Sequence, residues 1–280
     1  MGLKTALSNQ LSRWALKTKK VRRAILRDLW KDDVLFFRQM RDHCLIYYPH
    51  YVIGEQITQG GEYGRGVVSA LSNYLKQEGA ALSAGTVLEI GANIGTHTVY
   101  FFRDLECTHV IALEPDPQNY DLLTRNVKLN NLGDRVTHLQ LGASSTSGQL
   151  PFVSNEMNRG GSRIGDHSDE AIVVDITTVD RLLEQYREPF KDLSLIWIDV
   201  EGHELEVLEG ALKTLETCRP AVFLEYTPSE SSAHNKKLRD LLFDHYEHVV
   251  DFGRQPIPLT AQSFDAIQGQ TDLLAFNKRE

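Results

Sequence analysis

Four polar side chains that can do acid–base chemistry lie within six residues of the stretch WIDVEGHELEVLEGA. Asp199, Glu201, His203 and Glu204 follow the apolar run LSLIWI. In an extended chain Asp199 and Glu201 point to one face. A carboxylate or imidazole within hydrogen-bond reach of a hydroxyl can take its proton as the oxygen attacks an electrophile. The stretch therefore predicts a general base at the end of a buried strand, with Asp199, Glu201 and His203 as candidates.

Two alternatives compete with that interpretation. Carboxylates are favoured at helix N-termini, where they complement the helix dipole, and we interpret Glu204 and Glu206 in that way. Asp199 and Glu225, both near strand ends, could instead share a divalent cation that lowers the pKa of bound hydroxyls. The favoured prediction has no metal.

A glycine-rich loop, LEIGANIGTHT, supplies a second group of candidates: Glu89, Gly91, Asn93 and Gly95. Glycines let the backbone turn tightly and approach a ligand, and the following helix N-terminus offers free N–H groups. Glu114 follows Gly95 by 19 residues, at the tip of the next predicted strand. A carboxylate there can accept hydrogen bonds from both ribose hydroxyls. The loop and Glu114 together predict a nucleoside-containing cofactor.

The loop also discriminates between cofactors. Its spacing, Gly91-x-Asn93-x-Gly95, differs from the G-x-G-x-x-G loop that holds a pyrophosphate. Glu89 would repel a pyrophosphate, whereas Coulomb attraction suits it to an amino group or a sulfonium. S-adenosylmethionine is therefore the predicted cofactor, in preference to a nicotinamide.

Alternating strands and helices must position these residues. The main strands are predicted at 86–92, 109–115, 136–144, 193–200, 221–227, 248–253 and 272–278, and the helices at 67–78, 96–105, 117–131, 204–217 and 236–246. The alternation predicts an α/β fold with a mostly parallel sheet and helices on both faces. No helix separates the last two strands, which predicts one antiparallel strand at the sheet edge. Residues 45–66 show no single period.

Four motifs resemble FkbM-type S-adenosylmethionine-dependent methyltransferases over about residues 85–228: VLEIGANIGTHTVYFF, ALEPDPQNYDLLTRNVKLNN, TTVDRLL and LIWIDVEGHELEVLEGA. The resemblance implies a class I methyltransferase (Rossmann-like) fold with seven strands. It also implies O-methylation of a sugar, glycoside or other natural-product hydroxyl. Two departures from the family pattern are Glu89, where Asp is frequent, and Trp197, where Lys is frequent.

The resemblance also assigns cofactor contacts. It places Glu89, Gly91, Asn93 and Gly95 around the methionine part of the cofactor and Glu114 at the ribose. The segment Gly142, Ala143 and Ser144 would lie at the adenine.

Acceptor recognition is expected from two further segments. One surrounds Glu62 and Tyr63, and the other is the polar loop 154–170. Within that loop Asn158, Gly160, Gly161, Ser162 and Arg163 could form a lid over the acceptor. The alternative is an insertion that makes no contact with it.

The first 31 residues differ from the rest in charge. They contain nine Lys and Arg against one acidic residue, a net charge of +8, and since the whole chain carries −8, the remainder carries −16. The strong negative charge of residues 32–280 argues against a nucleic-acid partner. Apolar residues at helical spacing predict an amphipathic helix in the arm, packed on its own domain or on a second subunit, or lying on an anionic membrane. We divide the chain into residues 1–66, the arm and the segment after it, and a methyltransferase domain at 67–280.

Composition sets the remaining expectations. Three scattered cysteines match neither a zinc site nor a disulfide framework, and no signal sequence or membrane span is apparent. We expect a cytoplasmic protein, soluble or membrane-peripheral. The alternative to an enzyme is a non-catalytic cofactor-binding or membrane-tethered interaction protein.

Overall fold

The computed structural model describes residues 34–80, 82, 85–153, 163–164, 171–253 and 255–278. The predicted helix in residues 1–31 and the lid residues Asn158, Gly160, Gly161 and Ser162 lie outside the described residues. Within the described ranges, no helix is long and apolar enough to cross a membrane.

The described elements alternate along most of the chain. The strands are β1 (Phe36–Gln39), β2 (Cys44–Tyr47), β3 (Thr86–Ile90), β4 (His109–Leu113), β5 (Val136–Leu139), β6 (Gly142–Ala143), β7 (Gly148–Val153), β8 (Arg163–Ile164), β9 (Ile172–Thr177), β10 (Leu193–Ile198), β11 (Ala221–Tyr226), β12 (His248–Asp251), β13 (Ile257–Pro258) and β14 (Thr271–Phe276). The helices are α1 (Val52–Gly60), α2 (Arg65–Gln77), α3 (Thr96–Asp104), α4 (Pro117–Leu129), α5 (Val179–Gln185), α6 (Arg187–Phe190), α7 (Glu204–Glu209), α8 (Leu212–Cys218), α9 (Ser232–His245) and α10 (Ala261–Phe264).

The central sheet has eight strands in the order β13-β12-β14-β11-β10-β3-β4-β5. The five consecutive strands β11, β10, β3, β4 and β5 run parallel to one another. Every residue of β3 and β10 is buried. Continuous apolar runs of this kind are typical of strands covered on both faces. Neighbouring residues such as Val87 and Leu88 belong to separate hydrophobic cores on the two faces. The predicted α/β fold, with a mostly parallel sheet between helices, is confirmed.

The closing strand β14 lies inside the sheet and not at its edge, so the predicted place of the antiparallel strand is wrong. The edge is β13, a short strand antiparallel to β12 and an eighth strand beyond the seven expected. β14 pairs antiparallel with β11 on one side and with β12 on the other, and the two-residue strand β13 forms the edge. The last strand in the sequence is therefore inserted inside the sheet. The order of strands depends on contacts between distant segments, which the local pattern does not contain.

Two predicted elements are each divided in two. The strand predicted at 136–144 is β5 followed by β6, and β6 pairs with β9 in a small second sheet of order β6-β9-β7-β8. The helix predicted at 204–217 is α7 and α8, separated at Gly210. A side chain at Gly210 would lie 2.1 Å from the Ser144 carbonyl oxygen, so only glycine allows the backbones to approach this closely.

The hairpin of β1 and β2 is attached to α4 by two buried asparagines. The Asn126 side chain accepts a hydrogen bond from Ile46 N and donates to the carbonyl oxygens of Ile46 and Ile94. Asn130 accepts from Cys44 N and donates to Cys44 O. The two carboxamides thus satisfy the free backbone groups along β2. They also join the hairpin to the loop after β3.

Candidate active site

The glycine loop follows β3 and lies between the ends of β10 and β4. Gly91 has φ of 86°, and a side chain there would meet the Asp199 carbonyl oxygen at 1.8 Å. The N–H of Asp199 donates to Ile90 O at 2.9 Å, and the N–H groups of Gly91 and Ala92 donate to Leu113 O at 3.0 and 2.9 Å. This glycine therefore lets the loop and the end of β10 come together.

Glu114 follows β4 and is held by backbone donors. Its Oε2 accepts from Asn93 N at 2.7 Å and its Oε1 from Asp116 N at 2.8 Å. Asp116 in turn caps α4 by accepting from Gln118 N and Asn119 N. Burial raises the pKa of Glu114 to about 8. The Asn119 side chain also hydrogen-bonds Glu114, and since a carboxylate has about four acceptor positions, one remains beside these three donors.

A cavity with an empty volume of about 910 Å³ lies beside these groups; we call it the central cavity. Its wall includes the predicted residues Gly91, Asn93, Glu114, Gly142, Ala143, Tyr63, Asp199, Glu201 and Glu225. The structure thus brings candidates from six separate segments of the chain to one space at the carboxyl ends of the parallel strands. In open α/β sheets, ligands bind outside this end of the strands.

Three carboxylates form one cluster at the end of the central cavity. One oxygen each of Asp199, Glu201 and Glu225 lie within 4.8 Å of one another. Burial, followed by repulsion from Glu225 and Glu201, raises the pKa of Asp199 well above its usual range. A carboxyl group with a raised pKa is a stronger base when ionised. The same spacing would suit a divalent cation, but the metal alternative has no further support.

Glu89 lies behind the glycine loop and is not among the residues that line the central cavity. It is fully buried; Thr98 Oγ1 donates to its Oε2, and its Oε1 has no hydrogen-bond partner in the described part of the chain. Burial raises the pKa of Glu89 to about 8. With this pKa the Glu89 carboxyl is mostly uncharged at neutral pH, so the Coulomb attraction expected from the sequence has no support here, and any influence of Glu89 on a ligand is through the loop.

Gly95 also lies off the cavity wall. It has φ of 81°, and a side chain there would meet Leu123 Cδ1 at 2.7 Å. Its place is steric, because it lets α3 begin against α4.

His203 and Ser144 contact each other outside the cavity. His203 Nε2 lies 2.9 Å from Ser144 Oγ, and its Nδ1 lies 3.6 Å from Glu206 Oε2. Burial lowers the pKa of His203. Neither His203 nor Ser144 lines the central cavity, so the structure does not bring them together with Asp199.

Of the predicted acceptor residues, Tyr63 reaches the site and Glu62 does not. Burial and the nearby carboxylates, Asp199 first, raise the pKa of Tyr63 to about 12. Glu62 instead accepts a 2.9 Å hydrogen bond from Arg65, which also pairs with Asp42 and Asp104. Arg163 lies in β8, and its side chain is outside the description.

His97 is a cavity residue that the sequence analysis missed. It lines the central cavity from the first turn of α3, and its ring centroid lies 4.8 Å from that of Trp197 and 6.3 Å from that of Tyr63. Burial lowers the pKa of His97 to about 4, so the imidazole is neutral at neutral pH. Its position two residues after Gly95 was the available signal.

Comparison with known proteins gives a consistent family match. Residues 89–250 match the family model of the methyltransferase FkbM domain. Methyltransferase sdnD of Sordaria araneosa is 33% identical over 154 residues, which cover 44% of this chain and 59% of the relative. The hexuronic acid methyltransferase AglP of Haloferax volcanii is 31% identical over 129 residues, covering 46% of this chain and 51% of the relative. The chain thus spans between half and three fifths of these relatives.

Among solved structures, the FkbM methyltransferase of Methylobacillus flagellatus KT aligns with a TM-score of 0.46 at 18% identity. The alignment covers 69% of this chain and 43% of that one.

Proposed function

Since the chain belongs to the methyltransferase FkbM domain family, we propose that it is an S-adenosylmethionine-dependent O-methyltransferase. The proposed acceptor is a hydroxyl group of a sugar, glycoside or other natural product. The observation that carries the proposal is the central cavity, which joins the glycine loop and Glu114 to the three-carboxylate cluster. The relative AglP, a hexuronic acid methyltransferase, is consistent with a sugar acceptor.

The cavity wall fits the proposed cofactor. Glu114 keeps acceptor capacity for a ribose hydroxyl beside its three protein donors, and Gly142 and Ala143 line the same cavity with small residues. The carboxylates Glu114, Asp199, Glu201 and Glu225 line the cavity, and they disfavour a pyrophosphate and suit a cationic group. The cofactor, when bound, supplies an electrophilic methyl group on a positively charged sulfur.

Asp199 is the proposed base. Its raised pKa brings it closer to neutral pH, where a general base works best, and its place on the wall lets it face an acceptor hydroxyl. With the cofactor bound, an Asp199 carboxylate oxygen would take the hydroxyl proton while the hydroxyl oxygen bonds to the methyl carbon, and the methyl–sulfur bond would break to leave the neutral thioether S-adenosylhomocysteine. Glu201 and Glu225 keep the pKa of Asp199 raised, while Tyr63 and His97 exclude water from one side.

Two measurements test this function. Isothermal titration with S-adenosylmethionine and S-adenosylhomocysteine tests the cofactor, and transfer of a labelled methyl group to a panel of glycosides tests the reaction. Asp199→Asn should lower kcat by about 10²–10⁴ while keeping S-adenosylhomocysteine affinity. A wild-type protein that binds neither cofactor form would refute the proposal and favour a non-catalytic role.

The role of residues 1–31 stays a proposal of its own. Their charge and spacing favour contact with a second subunit or with an anionic membrane from the cytoplasmic side. Sedimentation with anionic and neutral vesicles, with and without residues 1–31, separates the two, because only the membrane role depends on lipid charge.

A further inference from the structure

Two more spaces continue from the central cavity toward the β12–β14 side of the sheet. The first, which we call the aromatic cavity, has about 680 Å³ and shares Tyr63, His97, Asp199 and Glu225 with the central cavity. The second, the outer groove, has about 1760 Å³ and shares Glu225 and Asp272 with the aromatic cavity. The proposed base therefore stands at one end of a longer path.

Trp197 and Phe223 contribute apolar atoms to the wall of the aromatic cavity next to the proposed base. The rings of Trp197 and Phe223 stack with centroids 4.2 Å apart and planes 19° apart. Both side chains are almost fully buried, so the wall is fixed by the core. A saturated ring can pack its C–H groups on such a surface while one of its hydroxyls reaches Asp199.

Besides the carboxylates Glu225, Asp251 and Asp272, the outer groove is lined by neutral polar groups that suit further hydroxyls. Five of its wall residues carry a carboxamide or hydroxyl: Gln255, Ser263, Gln268, Gln270 and Thr271. A carboxamide both donates and accepts hydrogen bonds, as the hydroxyls of a sugar do. Gln270 also hydrogen-bonds Glu225, which links the groove to the carboxylate cluster.

Charge narrows the ligand class. In the described part of the chain, neither the aromatic cavity nor the outer groove has a Lys or Arg on its wall. Phosphate and carboxylate ligands are usually held by these residues. The carboxylates on these walls, Glu225, Asp251 and Asp272, disfavour an anionic ligand, so the match we propose is a neutral polyhydroxylated one.

We propose that the methyl acceptor is an extended glycoside of at least two rings. The ring to be methylated occupies the aromatic cavity with its hydroxyl at Asp199, and the next ring or rings lie in the outer groove. The part of the groove that water-sized spheres can occupy is about 1010 Å³, the upper end of the roughly 300–1,000 Å³ of a small-ligand pocket, and the ring to be methylated lies outside it. This inference rests on the proposed function.

Methyl transfer to matched glycosides of different length tests the inference. The substrates are methyl glycosides of one, two and three residues of glucose, galactose and rhamnose, with saturating labelled S-adenosylmethionine and the full chain. For the sugar that is accepted, kcat/KM should rise at least about tenfold from one ring to two. Such a gain corresponds to one or two net hydrogen bonds.

Variants then locate the second ring. Gln255 and Gln268 are exposed, so Gln255→Ala and Gln268→Ala should leave folding intact. Each should lose about threefold to tenfold in kcat/KM for the two-ring substrate and change the one-ring value less than about twofold. Gln262→Ala is the matched control, since Gln262 is exposed on the neighbouring helix α10 but is not a wall residue of the groove.

The outcomes separate the two proposals. Transfer that does not depend on acceptor length, or a Gln262→Ala loss equal to the others, overturns the inference and leaves the proposed function standing. No transfer to any glycoside, by a protein that binds S-adenosylmethionine, overturns both the inference and the glycoside acceptor.

Discussion

Asp199 and His203 are four positions apart in sequence, yet they serve different parts of the molecule. Between them Glu201 and Gly202 both adopt left-handed backbone conformations, with φ of 54° and 99°. These two residues reverse the chain, so that Asp199 faces the central cavity and His203 faces Ser144. Two successive residues with positive φ are uncommon. Of the two, only Gly202 could have indicated the turn from the sequence, because glycine adopts positive φ readily.

The two variants Asp199→Asn and His203→Ala should therefore differ. Because both His203 ring nitrogens face partners outside the cavity, His203→Ala should lower kcat less than about fivefold, whereas Asp199→Asn loses the roughly 10²–10⁴ of a general base. Initial rates at saturating cofactor measure both. An equal loss of kcat in the two variants would show that His203 takes part in the reaction.

Glu89 and Glu114 should make stability fall as pH rises. Burial raises the pKa of each to about 8, against about 4.5 for an ordinary Glu, so ionisation opposes folding. Their contribution is complete below about pH 4.5 and is lost as pH rises through about 8. Each is limited to roughly 1.4 kcal/mol per unit of pKa shift.

In the Glu89→Gln variant the side chain at position 89 cannot ionise. The Tm of this variant should therefore fall less between pH 5 and pH 8 than the Tm of the wild type. Glu184→Gln, at an exposed position, is the control and should leave the drop unchanged. Thermal unfolding of the ligand-free proteins at pH 5 and pH 8 measures the drop in Tm. A drop as large in Glu89→Gln as in the wild type would contradict the assignment.

At the scale of elements, the sequence predicted the parts with strong local patterns. The strands β3, β4, β10 and β11 and the loop after β3 were predicted because apolar runs and glycines mark them. α1 was missed because residues 45–66 mix aromatics and glycines without one period. The contact between the Tyr63 and His97 rings was not predicted either, because a contact between residues far apart in sequence leaves no local pattern.

Gly64 is the contact point between α2 and α3, and it should tolerate no side chain. It caps α2 with φ of 75°, and an added Cβ would lie 2.2 Å from His97 Nε2. Gly64→Ala should cost at least about 1–2 kcal/mol for the left-handed backbone alone and should displace His97 from the cavity wall.

Gly66→Ala is the matched control two residues away, because a Cβ there meets nothing within 4 Å. It should be stabilising by roughly 0.5–1 kcal/mol as a helix substitution. Denaturant unfolding and acceptor KM distinguish the two variants. Equal stability of Gly64→Ala and the wild type would show that this contact is not tight.

For the whole molecule, the sign of charge around the site should decide between acceptors. The walls of the central and aromatic cavities carry the carboxylates Glu114, Asp199, Glu201, Glu225 and Asp272. Each of these groups that is ionised repels an anion at about 4 Å by roughly 1–4 kcal/mol, depending on solvent exposure, and since burial raises the pKa of Glu114 to about 8 the repulsion grows as pH rises. A negatively charged acceptor should therefore bind poorly.

A pair of methyl glycosides that differ only at C6 tests this charge effect. The glucuronide should show kcat/KM at least about tenfold below the glucoside, and the ratio should narrow at high salt. Asp272→Asn should reduce the difference. A preference for the glucuronide, the acceptor class of the relative AglP, would show that residues outside the description supply a positive charge.

The asparagine contacts of α4 should make backbone protection in the β1–β2 hairpin sensitive to ligand binding at the glycine loop. One carboxamide, that of Asn126, holds both Ile94 in the glycine loop and Ile46 in the hairpin. A ligand that steadies the loop should therefore slow hydrogen–deuterium exchange of the Ile46 amide, which makes no contact with the central cavity. Ile46 protection that tracks cofactor concentration would reveal occupancy without any turnover.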